Sequence, residues 1–206
     1  MMRTLLWLVP LLVYFVFGYW YTNTAGPLTS DEIESIANQM RESGAPEERI
    51  ATLRTFMEQD TGRQFIMLNN IDMSENPPDV DGAEPGENAD QLMGRYMEHM
   101  YPELFKRASH PVYFGRVVFR SMDIVGIKGA ENWDQGALMR YRSRRDLVEI
   151  ATKPVFAGKH DFKIAALDKT IAYPMESVLY LSDLRFLLAL ILFAFVSLID
   201  LLLYRR

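Results

Sequence analysis

Apolar residues crowd the two ends of the chain and recur at helical or alternating spacing between them. From Leu5 to Tyr21 (LLWLVPLLVYFVFGYWY) no charge interrupts the run. As a helix rising about 1.5 Å per residue it reaches roughly 26 Å, enough to cross a bilayer. Phe186 to Tyr204 is a second such run and holds one acid, Asp200. Flanking aromatics and arginines predict two transmembrane helices, at 1–21 and 186–206. A cleaved signal peptide competes for the first run, because Arg3 precedes it. No A-x-A site follows, however, and Tyr19, Trp20 and Tyr21 read as an anchor in the headgroup belt. Pro10 predicts a bend. Asp200, one turn from the end of its span, is expected to reach water or an arginine, the alternative being a membrane-buried partner contact.

A helical hairpin is predicted over 22–62. Ser30 is the expected N-cap, Ile33, Ile36, Ala37 and Met40 share a face, and Gly44 ends the first helix. Pro46 begins the second, with Glu47 and Glu48 in its first turn and Ile50, Leu53, Phe56 and Met57 at three- and four-residue spacings. Arg63–Met73 reads as a strand, 74–90 as an acidic, proline- and glycine-rich loop, and Ala89–Lys106 as a helix striped with Leu92, Met93, Tyr96, Met97, Met100 and Leu104. Pro111–Ile124 and Trp133–Arg142 are the second and third strands, joined by the turn-forming VGIKGAEN. Ser143 caps a short helix that Pro154 ends, and Asp161–Tyr173 is the fourth strand. The fold class predicted is α+β: a ferredoxin-like βαββαβ domain over 63–175, behind a helical hairpin, with a linker at 176–185 and a transmembrane helix on either side.

Composition narrows the chemistry. With no cysteine, disulfides, thiolate catalysis, iron–sulfur clusters and cysteine zinc sites are excluded. A net charge of −5 argues against nucleic acid as a partner. The charge is unevenly spread: residues 31–104 carry 17 Asp/Glu against 5 Lys/Arg, and residues 105–174 carry 13 Lys/Arg against 7 Asp/Glu. The halves are expected to complement each other in the fold. Arg3, Arg205 and Arg206 flank the spans, while no Lys or Arg follows Tyr21 until Arg41. The positive-inside rule then places both termini in the cytoplasm and the central domain outside, in the periplasm of a Gram-negative bacterium; Arg185 is a mild counter-signal.

No metal site is predicted. The acidic loop fails the calcium template, since Ala83 and Glu84 stand where an acid and a glycine are needed. Met93, Met97 and Met100 beside His99 would suit copper(I), but their spacing is that of core packing.

The segment from Trp133 to Met175 resembles the second half of the dimeric α+β barrel superfamily, in particular its small uncharacterised members related to the ethyl tert-butyl ether degradation protein. The matching positions are Trp133, Tyr141, Arg142, Ser143, Arg144, Pro154, Phe156, His160, Lys163 and Pro174. The long acidic loop and Ser109-His110 depart from that pattern. The resemblance implies a homodimer whose two copies pair sheet against sheet. It also brings in haem-degrading and quinone-forming relatives. For the haem-degrading type, an Asn–Trp–His constellation is implied, and this chain offers Asn69 or Asn70, Trp133 and His160 as catalytic candidates. No cofactor is specified by the residues.

Arg116, Arg120, Arg140 and Arg142 recur at two- and four-residue spacing on adjacent strands. Alternation puts the members of each pair on one face, either lining an anion-binding cavity or lying at the rim in ion pairs. No serine–histidine–acid set, phosphate loop or zincin motif is present. The function expected is that of a membrane-anchored interaction or accessory module in contact with lipid, itself and a larger membrane complex. The alternative is a membrane-tethered oxygenase or isomerase acting on a quinone or haem-like aromatic.

Overall fold

The computed structural model describes residues 2–204 apart from Ala157 and the side chain of Val155. Arg205 and Arg206, which the orientation argument uses, lie outside the described residues. The elements run α1 (Met2–Tyr21), α2 (Ser30–Glu42), α3 (Glu47–Glu58), β1 (Phe65–Met73), α4 (Ala89–Lys106), β2 (His110–Arg116), β3 (Gln135–Tyr141), α5 (Arg144–Ala151), a 3-10 turn (Pro154–Phe156), α6 (Lys159–Ala165), β4 (Leu167–Met175) and α7 (Leu184–Tyr204). The chain forms two units, Ala25–Glu176 and the pair Met1–Thr24 with Ser177–Arg206.

In the larger unit the strands are antiparallel in the order β2-β3-β1-β4, the ferredoxin-like arrangement. Pro111 and Pro174 both fall on edge strands, where a missing N–H costs no ladder bond. One face of the sheet is covered. Phe65 stacks on Tyr141 at 5.2 Å between centroids, and both pack with Met100, Leu104, Ile150 and Phe156. Beside this core, Leu92 and Ala89 of α4 bury Phe162 of α6. The α2–α3 hairpin lays Leu28, Ile33 and Met57 on Val148 of α5. The apolar faces of the hairpin thus extend the helical layer.

Three boundaries differ from the sequence expectation. The N-cap of α2 is Thr29, not Ser30, because the acid lies three residues beyond Thr29: Thr29 Oγ1 accepts from the Glu32 amide and the Glu32 carboxylate accepts from the Thr29 amide. Strand β2 stops at Arg116, opposite Gln135, and residues 117–134 continue as an irregular arm held by Val117 N to Asp134 O (2.8 Å) and Ser121 N to Glu131 O (2.8 Å). Residues 161–165 are helical rather than extended. Phe162 and Ala166, four apart, share one buried face against α4, and the β1 ladder meets the chain only from Leu167.

In the smaller unit α1 and α7 run antiparallel. Arg3 donates to both carboxylate oxygens of Asp200 (2.8 and 2.9 Å), Trp7 packs on Phe193, and Arg185 donates to Thr22 Oγ1 (3.0 Å) at the opposite end. Pro10 sits within α1. Both helices are long and apolar enough to cross a membrane and are almost wholly exposed along their length.

Candidate functional site

The two faces of the sheet offer different surfaces. On the covered face, a cavity of about 1030 Å³ lies between the sheet and the helical layer. Its floor is Met67, Asn69 and Ala172 beside Tyr141. Tyr96, Met100 and Ile150 form a wall, and the α2–α3 turn with Arg49 forms the roof. His160 and Lys163 of α6 enter it from the side. Tyr96 organises these two: its ring meets the His160 imidazole edge-on at 6.0 Å, and the Lys163 Nζ lies 5.9 Å from its centroid.

Burial sets the ionisation of this group. It pushes the Tyr96 phenol up to about 12 and raises Tyr141 further, with the Tyr96 charge contributing. The Lys163 amine is lowered by burial. His160 is lowered by desolvation and then by the positive charges of Lys163 and Arg49, with Asp161 opposing. The cavity therefore places an imidazole and an amine, both lowered from their ordinary values, beside a largely apolar floor.

The structure brings together only part of the Asn–Trp–His set. Asn69 and His160 line the cavity, with the Asn69 amide donating to the Met67 carbonyl (3.2 Å). Asn70 points to the other face by strand alternation. Trp133 is absent from the lining. Its indole donates to the Ala130 carbonyl (3.0 Å) and lies under Lys169, which pairs with Asp72, a residue on the face opposite Asn69.

The four arginines do not form one lining. Arg140 is fully buried and donates to Gln64 and to the Ala108 carbonyl, so it is a structural brace. Arg142 lies past the end of β3 and is bonded to Asp146 (2.7 Å). Arg116 ends β2 in the open, and Arg120 lies in the irregular arm over the Phe119 ring, outside the strand whose alternation would have aligned it with Arg116. Arg49, Tyr96 and Lys163 line the cavity without being site candidates in the sequence, where Lys163 is only a position of the family resemblance and Tyr96 a member of the α4 stripe. Lys163 was placed in a strand by its neighbours, and Arg49 carried no signal in the sequence.

The other face is open beyond the buried Ile66–Arg140 pair at one end. The register aligns Tyr113, Leu138, Leu68 and Tyr173 in one row across all four strands. Tyr113 and Tyr173 are exposed and both leucines half-buried, although α4, α5 and α6 pack on the opposite side. Tyr113 folds along its own strand: a Cβ on Gly115 would stand 2.5 Å from its hydroxyl. The adjoining arm exposes Val118, Phe119, Met122 and Val125.

Two solved structures of one protein of unknown function from Rhodopseudomonas palustris, unmodified and methylated, match this chain at 19% identity. They cover 66% and 65% of this chain and 95% and 93% of their own, with TM-scores of 0.50 and 0.52. A dimeric ferredoxin-like protein of unknown function from Jannaschia sp. CCS1 matches at 16% identity over 55% of this chain and 99% of its own, with a TM-score of 0.33. No family model and no curated protein matches. The likeness to the Rhodopseudomonas palustris structures supports the α+β fold of the larger unit.

Proposed function

We propose that this protein is a membrane-anchored, self-pairing module. Helices α1 and α7 cross the cytoplasmic membrane as a hairpin and present Ala25–Glu176 on the periplasmic side, where two copies meet through their open sheet faces. In this reading the module is an accessory part of a larger membrane complex. The observation that carries it is the Tyr113–Leu138–Leu68–Tyr173 row, an apolar stripe on a face without a helical cover. Antiparallel sheets tolerate one wet face, but that face is then ordinarily polar. Leu68 and Leu138, at the middle of the row, make the test. In mild detergent the full chain is expected to elute as a dimer and Leu138→Glu as a folded monomer. A wild-type monomer, or a Leu138→Glu dimer, would refute self-pairing through this face.

A second reading, favoured by the cavity, is a membrane-tethered enzyme or carrier for a small molecule such as a quinone or haem-like aromatic. Asn69 and His160 are its proposed polar groups, with Trp133 acting at most from outside the cavity. Tethering would shorten the path to a lipophilic substrate. Spectral titration with a quinone or haem, compared with His160→Ala, tests it, and a variant that binds and turns over like the wild type removes His160 from the site.

A further inference from the structure

We infer that the cavity binds an apolar molecule carrying one carboxylate, with the acid group held by Lys163 and Arg49 and the body laid along Met67, Met100 and Ile150. The inference rests on the second reading above, that the cavity takes a small molecule, and specifies which kind.

Arg107, Arg142, Arg144, Arg145, Lys153 and Lys169 are all shielded to some degree, and each meets a carboxylate within 4 Å. Lys163 is half-buried as well, yet it meets the Tyr96 ring, and among the described residues no carboxylate lies within 4 Å of it; Lys159, over the Phe162 ring, is likewise without one but lies outside the cavity lining. A shielded ammonium without an acid loses hydration and gains little in return, and an entering carboxylate would supply the missing partner. Arg49, exposed at the cavity's edge, lines it from α3 with no carboxylate within 4 Å among the described residues, and its fork of N–H groups suits a carboxylate. His160 lines the same cavity and adds a ring nitrogen that can hydrogen-bond a carboxylate.

The acids of the lining, Glu42 and Asp161, are both exposed and so stand at the rim. Lys153, also in the lining, is already engaged by Glu103. That leaves two unpaired cations, one inside and one at the edge, which fits a monoanion. Apart from Asn69 the floor and wall beyond them are mainly apolar, and Met67 and Met100 give that surface an adaptable shape. A volume of about 1030 Å³ accommodates an extended chain or a fused ring system.

Equilibrium dialysis of the full chain in lipid nanodiscs, corrected against empty nanodiscs, tests this. The probes are octanoate and 1-naphthoate, each paired with its neutral amide, so that aliphatic and aromatic sources of the carboxylate are separated. At least one acid is expected to bind about tenfold or more tightly than its amide. Lys163→Met should abolish the difference, Arg49→Gln should reduce it, and Lys163→Arg should keep most of it. If Lys163→Met does not fold, Lys163→Gln takes its place. Equal binding of acid and amide, or a preference for the acid that persists without Lys163, would overturn the inference while leaving a small-molecule cavity in place. No binding of any of the four probes would remove the second reading with it.

Discussion

Asp60 gathers more of the fold than any motif in the sequence advertises. Its carboxylate accepts from the Leu28 amide (2.9 Å) and the Gly62 amide (3.0 Å), and Arg144 stands 3.8 Å away. Arg144 in turn covers the Phe56 ring at 4.8 Å and donates to the Phe56 carbonyl. Gly62 belongs to the same knot. Its φ of +71° is left-handed, and a Cβ there would stand 2.8 Å from the backbone of Gly26 and Pro27. Gly62→Ala is therefore expected to destabilise the larger unit by about 1–3 kcal/mol, and Asp60→Ala by a similar amount through its stranded amides. Urea unfolding followed by circular dichroism measures both, and an unchanged midpoint in either variant would contradict the packing described. Such knots are illegible beforehand, since Asp60 meets Leu28 and Arg144 only after the chain has folded. Arg140 teaches the same lesson. Its place on a strand was visible, but Gln64 and Ala108, which turn it into a brace, come from remote segments.

Among the elements, the α2–α3 hairpin is held by charge as well as by apolar packing. Arg145 of α5 donates to the Glu32 carboxylate (2.8 Å) and to the carbonyls of Gly26 (3.1 Å) and Pro27 (3.0 Å). These bonds, Arg145 first and the Thr29 amide next, lower the Glu32 pKa from 4.5 to about 2. A depressed carboxylate stabilises the fold fully above its unfolded pKa, and that contribution is lost as pH falls through the folded value. The stabilising effect of Glu32 relative to Glu32→Gln should thus be intact above about pH 4.5 and gone near pH 2; solvent exposure limits it to about 1 kcal/mol or less. Urea midpoints across that window give the readout, and a gap that widens on acidification would reverse the assigned sign.

Elements defined by strong periodicity were legible: α4 runs over the residues its stripe marks, and the strand order follows from the element order. The segment from Asp161 was not, because a short apolar run fits either period until its partners are known. Phe162 against Leu92 decides for the helix. Likewise β2 ends where its partner ends, a fact held by β3 and not by the apolar residues of 117–124.

The molecule as a whole invites a test of sidedness that its composition makes clean. With no native cysteine, a single Glu84→Cys in the exposed acidic loop is the one thiol available for labelling. In intact spheroplasts a membrane-impermeant maleimide should modify it; protection until the cells are lysed would place the domain in the cytoplasm and overturn the proposed orientation. The helix pair makes its own prediction. Loss of Arg3 strands Asp200 at the end of an apolar helix, so Arg3→Ala should lower the amount of inserted protein, and adding Asp200→Ala should restore it. Immunoblotting of membrane fractions reads both, and equal levels in all three proteins would show the pair to be dispensable.

The bond from Arg185 to Thr22 means that the polypeptide departs from one helix and rejoins the other at neighbouring points. Within the smaller unit the two helices are closed at both ends, by Arg3 on Asp200 at one and Arg185 on Thr22 at the other, like the legs of a staple. A staple of that kind is a portable mount. Any cargo whose own ends lie side by side could be spliced between its legs.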